Sequence, residues 1–396
     1  MLNPLRRFPP PRLLFAVILG FVGFVTSFGA HVVAVNLPFY AERVGVGLAV
    51  IGLLIASYDL AEIVAKPVFG ALADRQGMKR TMVAGIVIFT LASASYTIVD
   101  PRWLLAIRFL QGVGAAALSA VSLALVGIYY PDRRGQAYGV YNALKGLGYV
   151  VSPLVGGLVV ARATFSGIFL VSAGVGVLAL IVSLALPAPK GESGADALDA
   201  DFSFRALLGV FRDPRTLPWY GVTVVNMFFV GVLFGFLPVR AHALGLGPFA
   251  SGLLLSAVSL SYVLVQPVAG RLADRFGADV TIRTGLLLSG TTVILFPFVH
   301  GTMLVLAAVL AGIGVGTVWT NTDALVSTLA KEGKLGATMG VAGSFKEFGD
   351  MLGPLMIGAV SQAFGLAVGF VGCGVLGLLS VLLLFARKPV RRGVRT

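Results

Sequence analysis

The chain has 396 residues, of which 57% are hydrophobic and 12% are charged, and its mean hydropathy is +0.94. This composition excludes a soluble domain, because apolar runs of this kind need a bilayer. The single cysteine, Cys373, excludes a disulfide framework and a metal site built from cysteines.

Twelve apolar runs follow one another along the chain, and most reach the ~20 residues that cross a ~30 Å hydrocarbon core. Backbone groups in lipid must form hydrogen bonds within their own span, so we predict helices rather than strands. The predicted fold class is therefore an all-α integral membrane protein with twelve transmembrane helices. The predicted spans are 14–39, 48–71, 81–98, 102–129, 136–160, 165–187, 217–241, 249–272, 281–299, 302–328, 336–363 and 365–386.

The longest polar interruption separates spans 1–6 from spans 7–12. We predict an N-terminal bundle at 1–187, a cytoplasmic linker at 188–216, a C-terminal bundle at 217–386 and a basic tail at 387–396. Proline and glycine at the start of the linker are typical of a flexible connection. Within it, Phe202–Phe211 could form a short amphipathic helix at the membrane surface.

The net charge of +13 is distributed unevenly between the two sides of the predicted spans. If the N-terminus lies in the cytoplasm, the opposite side keeps only Arg43, Arg102, Arg162 and Arg240. This positive-inside bias predicts a multi-pass protein of a bacterial cytoplasmic (inner) membrane with both termini in the cytoplasm. The basic excess is expected to contact anionic membrane lipids, and not nucleic acid.

The sequence repeats itself at a spacing of 200 residues, the separation of Gly70 from Gly270. Gly70–Gly77 recurs as Gly270–Gly277, and after a shift of one position Lys145 recurs as Lys346. A membrane chain with two related halves is typical of a transporter that works a site between them.

Three motifs resemble those of the major facilitator superfamily. The first is the loop after span 2, and the resemblance implies that it forms a cytoplasmic gate, in which Asp74 would lie near the positive N-terminal end of helix 11. The gating residues are Gly70, Asp74, Arg75, Gly77, Lys79 and Arg80. The second motif, Arg108–Gly112 in span 4, is similar to the family's Arg-x-x-Gln-Gly sequence.

The third motif is a glycine and proline pattern in spans 5 and 11, which resembles that of drug–proton antiporters. It comprises Gly139, Gly148, Pro153, Gly157, Gly349 and Pro354. Small residues let a helix approach its neighbours closely, and prolines bend it at defined points. The resemblance covers the whole chain and implies two six-helix bundles that expose a central site alternately to either side of the membrane.

Several charged residues lie inside the predicted spans, where each costs ~2.5–3.5 kcal/mol at mid-span on insertion scales. They should therefore face one another or a water-filled cavity. Asp59, Glu62 and Lys66 share one face of helix 2, because separations of three and four residues place side chains together. Their counterparts in the second half are all neutral, namely Ser259, Tyr262 and Gln266.

This difference between the halves favours a functional role for the span 2 acids. A carboxylate that moves between an apolar environment and a lysine-paired one gains and loses a proton. We predict Asp59 and Glu62 as proton-coupling residues, with Lys346 as their charge partner, because helices 2 and 11 adjoin in the family fold. Asp323 and Asp350 are further candidates, and a static salt bridge between helices is the alternative.

Other polar residues in the spans are candidates for the wall of a substrate cavity, although each could equally be a hydrogen-bonded contact between helices. They are His31, Asn36, Arg108, Lys145, Asn226 and Asn321. The phenylalanines are attributed to packing and lipid contact, and we assign no aromatic binding site from them.

The glycine and proline pattern of span 5 resembles that of drug–proton antiporters, and this resemblance implies proton-coupled export of small amphipathic compounds such as drugs or metabolites, which would give multidrug resistance. Proton-linked uptake or facilitated movement of a nutrient is the alternative, and a transport-inactive membrane sensor is a remote one. No Gly-x-x-x-x-Gly-Lys-Ser/Thr loop occurs, so we expect no nucleotide and no other cofactor. We also expect no enzyme activity, no metal site and a monomer.

Overall fold

The computed structural model describes residues 13–37, 39, 45, 47–130, 134–162, 165–187, 212–329 and 335–385. Over these ranges it has twelve α-helices of 18 residues or more and no β-strand. The predicted all-α fold class is therefore confirmed. The predicted amphipathic helix Phe202–Phe211 and the basic tail at 387–396 lie outside the described residues, as does most of the linker at 188–216.

Six helices precede the linker and six follow it. The first six are α1 (Leu14–Ala34), α2 (Leu48–Gln76), α3 (Met78–Ser95), α4 (Leu104–Tyr129), α5 (Arg134–Arg162) and α6 (Phe165–Leu184). The last six are α7 (Leu217–Ala243), α8 (Pro248–Phe276), α9 (Ala278–Leu295), α10 (Thr302–Leu329), α11 (Leu335–Phe364) and α12 (Leu366–Phe385). A 3₁₀ turn at Pro101–Trp103 leads into α4.

Nine of the described helices are long and apolar enough to cross a membrane. The exceptions are α3, α11 and α12. Helix α11 carries Lys346, Glu347 and Asp350 in its interior, and α3 has Lys79 and Arg80 in its first turn. Helix α12 differs, because it is apolar throughout and its apolar segment Leu366–Leu382 is shorter.

By their internal contacts the residues form two compact units. The first unit comprises Met1–Asp201 and Ala241–Ser256, and the second comprises Phe202–Arg240 and Ala257–Thr396. The start of α8 thus belongs with the first unit, although it follows the predicted linker. The predicted division at 188–216 stays a prediction.

Helices α2 and α8 are longer than predicted, because each continues through the motif that we place in a loop. Residues Gly70–Gln76 form the last two turns of α2, and the connection to α3 is reduced to Gly77. Gly77 has a φ of 95°, and Gly277 at the equivalent position has 93°. Glycine adopts this region without a steric penalty. The helix therefore continues through residues 70–76 and ends at Gly77.

Glycines allow close helix packing within both units. In the first, a methyl group added at Gly148 of α5 would lie 2.8 Å from the Cβ of Ser27 on α1. In the second, a methyl group at Gly349 of α11 would overlap the carbonyl oxygen of Val224 on α7. Pro153 and Pro354 lie inside α5 and α11 without interrupting either helix. The glycine and proline pattern therefore positions these two helices against α1 and α7.

A short Asp-Pro-Arg sequence precedes both α4 and α7. Arg102 donates side-chain and backbone hydrogen bonds to Asp100, and these bonds lower the pKa of the Asp100 carboxyl group. Arg215 binds Asp213 in the same geometry, and this side-chain bond raises the pKa of Arg215. Both arginines are exposed, so these pairs shape the connections and add little stability.

Candidate functional site

Arg108 of α4 is the centre of a buried polar network in the first unit. Its Nη1 donates to Oε1 of Gln111 (2.8 Å), and its Nη2 donates to the carbonyl oxygen of Ala30 on α1 (2.9 Å). Its Cζ lies 4.4 Å from the centroid of the Tyr58 ring on α2. Arg108 is only 2% exposed, so neutral acceptors and an aromatic face hold the guanidinium away from solvent.

The network continues from Gln111 to two more helices. Nε2 of Gln111 donates to Oγ of Ser93 on α3 (2.9 Å), and the hydroxyl groups of Ser93 and Ser172 lie 3.2 Å apart. Tyr96 donates to Oε1 of Gln111 at 3.2 Å. Arg108 and Gln111 thus connect α1, α2, α3, α4 and α6. This arrangement favours a structural role for Arg108 over the predicted role in the wall of a cavity.

The acids of α2 are buried, as an intramembrane functional group should be. Oε2 of Glu62 accepts a hydrogen bond from Nζ of Lys66 at 3.0 Å, with the two side chains 8% and 21% exposed. Glu62 and Lys66 therefore share one face of α2, as their spacing of four residues predicts. Asp59 lies almost one turn earlier and is also buried. The predicted approach of Asp59 and Glu62 to Lys346 would join different units and stays a prediction.

Three further candidates lie on α1, just beyond its end and on α5. Nδ1 of His31 is 2.8 Å from the carbonyl oxygen of Ser27, and its ring is 4.5 Å from that of Tyr149. Asn36 is fully buried and donates to the carbonyl oxygen of Val32 at 2.9 Å. Lys145 is half-buried, one turn before Tyr149 on α5. His31 and Asn36 are therefore contacts within the helix packing, and Lys145 is the more accessible of the three.

In the second unit, Lys346 of α11 forms an ion pair with Asp323 of α10. Its Nζ donates to Oδ2 of Asp323 at 2.6 Å, and lies 4.9 Å from the centroid of the Trp319 ring. The Trp319 ring in turn lies 5.4 Å from the ring of Tyr262 on α8. The side chains of Lys346 and Asp323 are 19% and 28% exposed, so this cation–aromatic–carboxylate cluster is open on one side.

Local sequence explains why the cluster assembles. Trp319 and Asp323 are four residues apart and share a face of α10. A methyl group at Gly316 would overlap the carbonyl oxygen of Tyr262, so only glycine allows α8 and α10 to approach this closely. The sequence places Trp319 in a polar segment of span 10 that could line a cavity, whereas Tyr262 is not predicted as a site residue. One available signal is that Tyr262 replaces Glu62, and Trp319 replaces Ser119, at equivalent positions of the repeat.

The remaining candidates of the second unit are in contact with neighbouring helix backbone, and their predicted roles in a cavity or in proton coupling stay predictions. Asn226 donates to the carbonyl oxygen of Val315 at 3.4 Å, and Asn321 donates to that of Thr317 at 2.9 Å. Both asparagines are buried, which agrees with the alternative of contacts between helices. Asp350 is half-buried and packs against Gly231 of α7.

Around the predicted gate, Lys79 has a defined contact. Its Nζ donates to the carbonyl oxygens of Leu184 (2.9 Å) and Leu186, at the C-terminal end of α6. In the second unit, Nη2 of Arg240 donates to the carbonyl oxygen of Pro297 (2.7 Å), beyond the end of α9. A basic side chain thus stabilises a helix C-terminus in each unit. The side chains of Asp74 and Arg75 lie outside the described residues, Arg80 is exposed, and the gating role stays a prediction.

Comparison with known proteins agrees with the twelve-helix architecture. The model of the Major Facilitator Superfamily matches residues 19–239 and 219–396. The chain is 25% identical to Multidrug resistance protein Stp of Mycobacterium tuberculosis, over 89% of this chain and 76% of Stp. It is also 25% identical to the Multi-drug resistance efflux pump PmrA homolog of Lactococcus lactis, over 90% of this chain and 91% of the relative.

Among solved structures, that of a mutant of the nucleoside transporter NupG superposes with a TM-score of 0.80. The superposition covers 94% of this chain and 99% of NupG, at 14% sequence identity. A likeness at this identity concerns the fold alone.

Proposed function

Because the chain belongs to the major facilitator superfamily of membrane transporters, and is not an enzyme, we propose that it exports small amphipathic compounds in exchange for protons. The observation that carries the proton coupling is the ion pair of the buried Glu62 with the partly exposed Lys66, with the buried Asp59 beside it, in a helix long and apolar enough to span the membrane. Two relatives described as multidrug resistance or efflux proteins support drugs or metabolites as the exported compounds.

The proposed coupling uses the two states of a buried carboxyl group. An ionised Glu62 holds Lys66 at 3.0 Å, whereas a protonated Glu62 carries no charge to hold it. The change of charge alters the cost of keeping both side chains away from water, and this cost can drive a rearrangement of α2. Asp59 is assigned the same role, because it is buried in the preceding turn of the same helix.

The remaining parts of the proposal follow from the sequence. We place the protein in the bacterial inner membrane with both termini in the cytoplasm, on the bias of basic residues. It requires no nucleotide or other cofactor, since the proton gradient drives transport, and it works as a monomer. A reporter fused to each terminus tests the orientation.

Reconstitution in proteoliposomes tests the function. Imposed pH gradients of both signs, with a panel of candidate compounds, should move substrate in the direction opposite to protons. Glu62→Gln and Asp59→Asn should abolish this gradient-driven movement and keep substrate exchange in the absence of a gradient. Asp100→Asn is the matched control, because it removes an exposed acid in a connection between helices.

Two outcomes would contradict the proposal. Movement of substrate together with protons would favour proton-linked uptake of a nutrient. Unchanged gradient-driven export in both the Glu62→Gln and Asp59→Asn variants would remove these residues from the coupling mechanism.

A further inference from the structure

We propose that Asp323, Trp319 and Tyr262 form a binding subsite for an organic cation that carries an aromatic ring, and that Lys346 occupies this subsite as an internal competitor. The inference rests on the proposed transport function and names its substrate class. It concerns the second unit alone.

The surroundings of the Lys346 ammonium group define the ligand. A carboxylate oxygen lies 2.6 Å from Nζ, and the centroid of the Trp319 ring lies 4.9 Å from it. A carboxylate and an aromatic face within about 6 Å are the two contacts by which proteins hold organic cations. Lys346 therefore marks the position that the charge of a bound cation would take.

The cluster is accessible from one side. Lys346 and Asp323 are 19% and 28% exposed, although both lie in the interiors of long helices in a membrane protein. A charged pair open to lipid would be strongly unfavourable, so the open side must face a water-filled cavity. A soluble ligand that enters this cavity can reach the pair, and it can replace the contact between Lys346 and Asp323 without further unfolding.

The charges of the second unit select a cation over an anion. The interiors of α10 and α11 contain Asp323, Glu347 and Asp350 but only one basic residue, Lys346. Opposite them on α8, the ring of Tyr262 stands where the first unit has Glu62. An incoming cation replaces the charge of Lys346 beside Asp323, whereas an anion in the same place would be repelled by the Asp323 carboxylate.

The aromatic pair selects a planar group. The Trp319 and Tyr262 rings lie 5.4 Å apart with an interplanar angle of 33°. Tyr262 is buried and packs against the ring of Trp319, which is half-buried and carries the Lys346 ammonium group over its ring. A ligand cation that displaces Lys346 would take up this contact. Since the first unit has Ser119 and Glu62 at the equivalent positions, it has no such aromatic pair there.

Two probes of the same shape and opposite charge test the inference, namely tetraphenylphosphonium and tetraphenylborate. Their binding to the purified full-length protein is measured by calorimetry without a proton gradient. The wild type should bind the cation and not the anion. Lys346→Met should tighten binding of the cation about tenfold, because it removes the competitor, whereas Asp323→Asn and Trp319→Leu should weaken it by a similar factor.

The controls separate the subsite from general effects of substitution. Lys346→Arg keeps a competing cation and should leave the affinity near that of the wild type, and its unfolding temperature reports whether position 346 tolerates change. Arg102→Met and Trp103→Leu remove an exposed cation and an exposed indole in the 3₁₀ turn before α4, and should not alter binding.

The inference would be overturned if Lys346→Met bound the cation no more tightly than the wild type does. It would also be overturned if neither the wild type nor Lys346→Met bound the cation measurably. Binding of the anion that depends on Lys346 would also overturn it, and would assign an anionic substrate. Cation binding without proton-driven flux would keep the subsite and contradict the proposed export function. Proton-driven export of other compounds, with no cation binding, would keep the proposed export function and contradict the subsite.

Discussion

In the first unit the guanidinium group of Arg108 is sealed among helices, whereas in the second unit the ammonium group of Lys346 lies at an accessible surface. Arg108 is 2% exposed and binds a glutamine, a backbone carbonyl and an aromatic ring on three different helices. Lys346 is 19% exposed, and its carboxylate and aromatic contacts both come from α10. A charge with many neutral partners holds helices together, while a charge with an accessible partner can exchange that partner for a ligand.

The internal repeat makes this difference meaningful. Lys145 and Lys346 are equivalent, but Glu62 is replaced by Tyr262 and Arg108 by Ala308. The glycine contacts that set the helix packing occur in both units. The scaffold is therefore shared, and the two units differ in their charged and aromatic side chains, to which we assign proton coupling in the first unit and substrate binding in the second as proposals.

The largest effect on stability is expected from Gln111→Leu. This change removes an acceptor of Arg108 and the donor to Ser93, and leaves a charged group buried with fewer partners. We expect a loss of about 3 kcal/mol in the free energy of unfolding, measured as a large fall in Tm in detergent. The double variant Arg108→Leu/Gln111→Leu should recover part of the loss. A fall in Tm no larger than that of Asp323→Asn would remove the distinction between the two units.

Intermediate effects are expected from alanine at equivalent glycines. Gly349→Ala forces a methyl group into the carbonyl oxygen of Val224, so α7 and α11 must separate. Gly148→Ala meets the Cβ of Ser27 at 2.8 Å and the carbonyl oxygen of Phe24 at 2.9 Å, and should be milder because the overlap is smaller. Overpacking of this kind costs about 1–3 kcal/mol, so Tm should fall more for Gly349→Ala than for Gly148→Ala. The opposite order would show that α1 and α5 are the less adaptable pair.

A small effect on stability but a large effect on binding is expected from Asp323→Asn. The ion pair with Lys346 is partly exposed, and such pairs contribute less than about 1 kcal/mol. The Tm should therefore change little, while binding of tetraphenylphosphonium weakens about tenfold. A large fall in Tm would mean that Asp323 is a structural residue like Arg108.

The smallest effect is expected from removal of the basic residues at helix ends. Lys79→Met and Arg240→Met each take a cation from the carbonyl oxygens beyond α6 and α9. Interactions of this kind contribute about 0.3–1 kcal/mol, so Tm should fall slightly and by similar amounts in the two units. Arg80→Met is the control, since Arg80 is exposed. A much larger loss of transport than of stability for Lys79→Met alone would support the gating role.

Much of the fold follows from the sequence, because span length and internal hydrogen bonding leave few alternatives in a bilayer. The twelve helices and the repeat are predictable in this way. The extension of α2 to Gln76 does not follow, since a charged segment after an apolar run is compatible with either a loop or a helix. The end of α2 is set by the positive φ of Gly77, which a sequence pattern of charged residues does not indicate.

The candidate site is only partly predictable. The pairing of Glu62 with Lys66 follows from helical spacing alone, and so does the shared face of Arg108 and Gln111. The network around Arg108 and Gln111 also includes Ser93, Ser172 and Tyr58. Their positions depend on how α2, α3 and α6 are rotated about their axes, which composition does not reveal. The cluster of Tyr262, Trp319 and Lys346 likewise comes from three helices, although aromatic replacements beside a retained lysine point towards it.

Paired flux measurements on Glu62→Gln and Asp323→Asn in proteoliposomes test most directly whether α2 carries the proton and the second unit binds the substrate. For Glu62→Gln, we predict exchange of tetraphenylphosphonium without a gradient and no movement driven by a pH gradient. For Asp323→Asn, we predict that both fall about tenfold when tetraphenylphosphonium is subsaturating, in line with the weaker binding. The account would be contradicted if Glu62→Gln retained gradient-driven movement, or if Asp323→Asn kept exchange at the rate of the wild type.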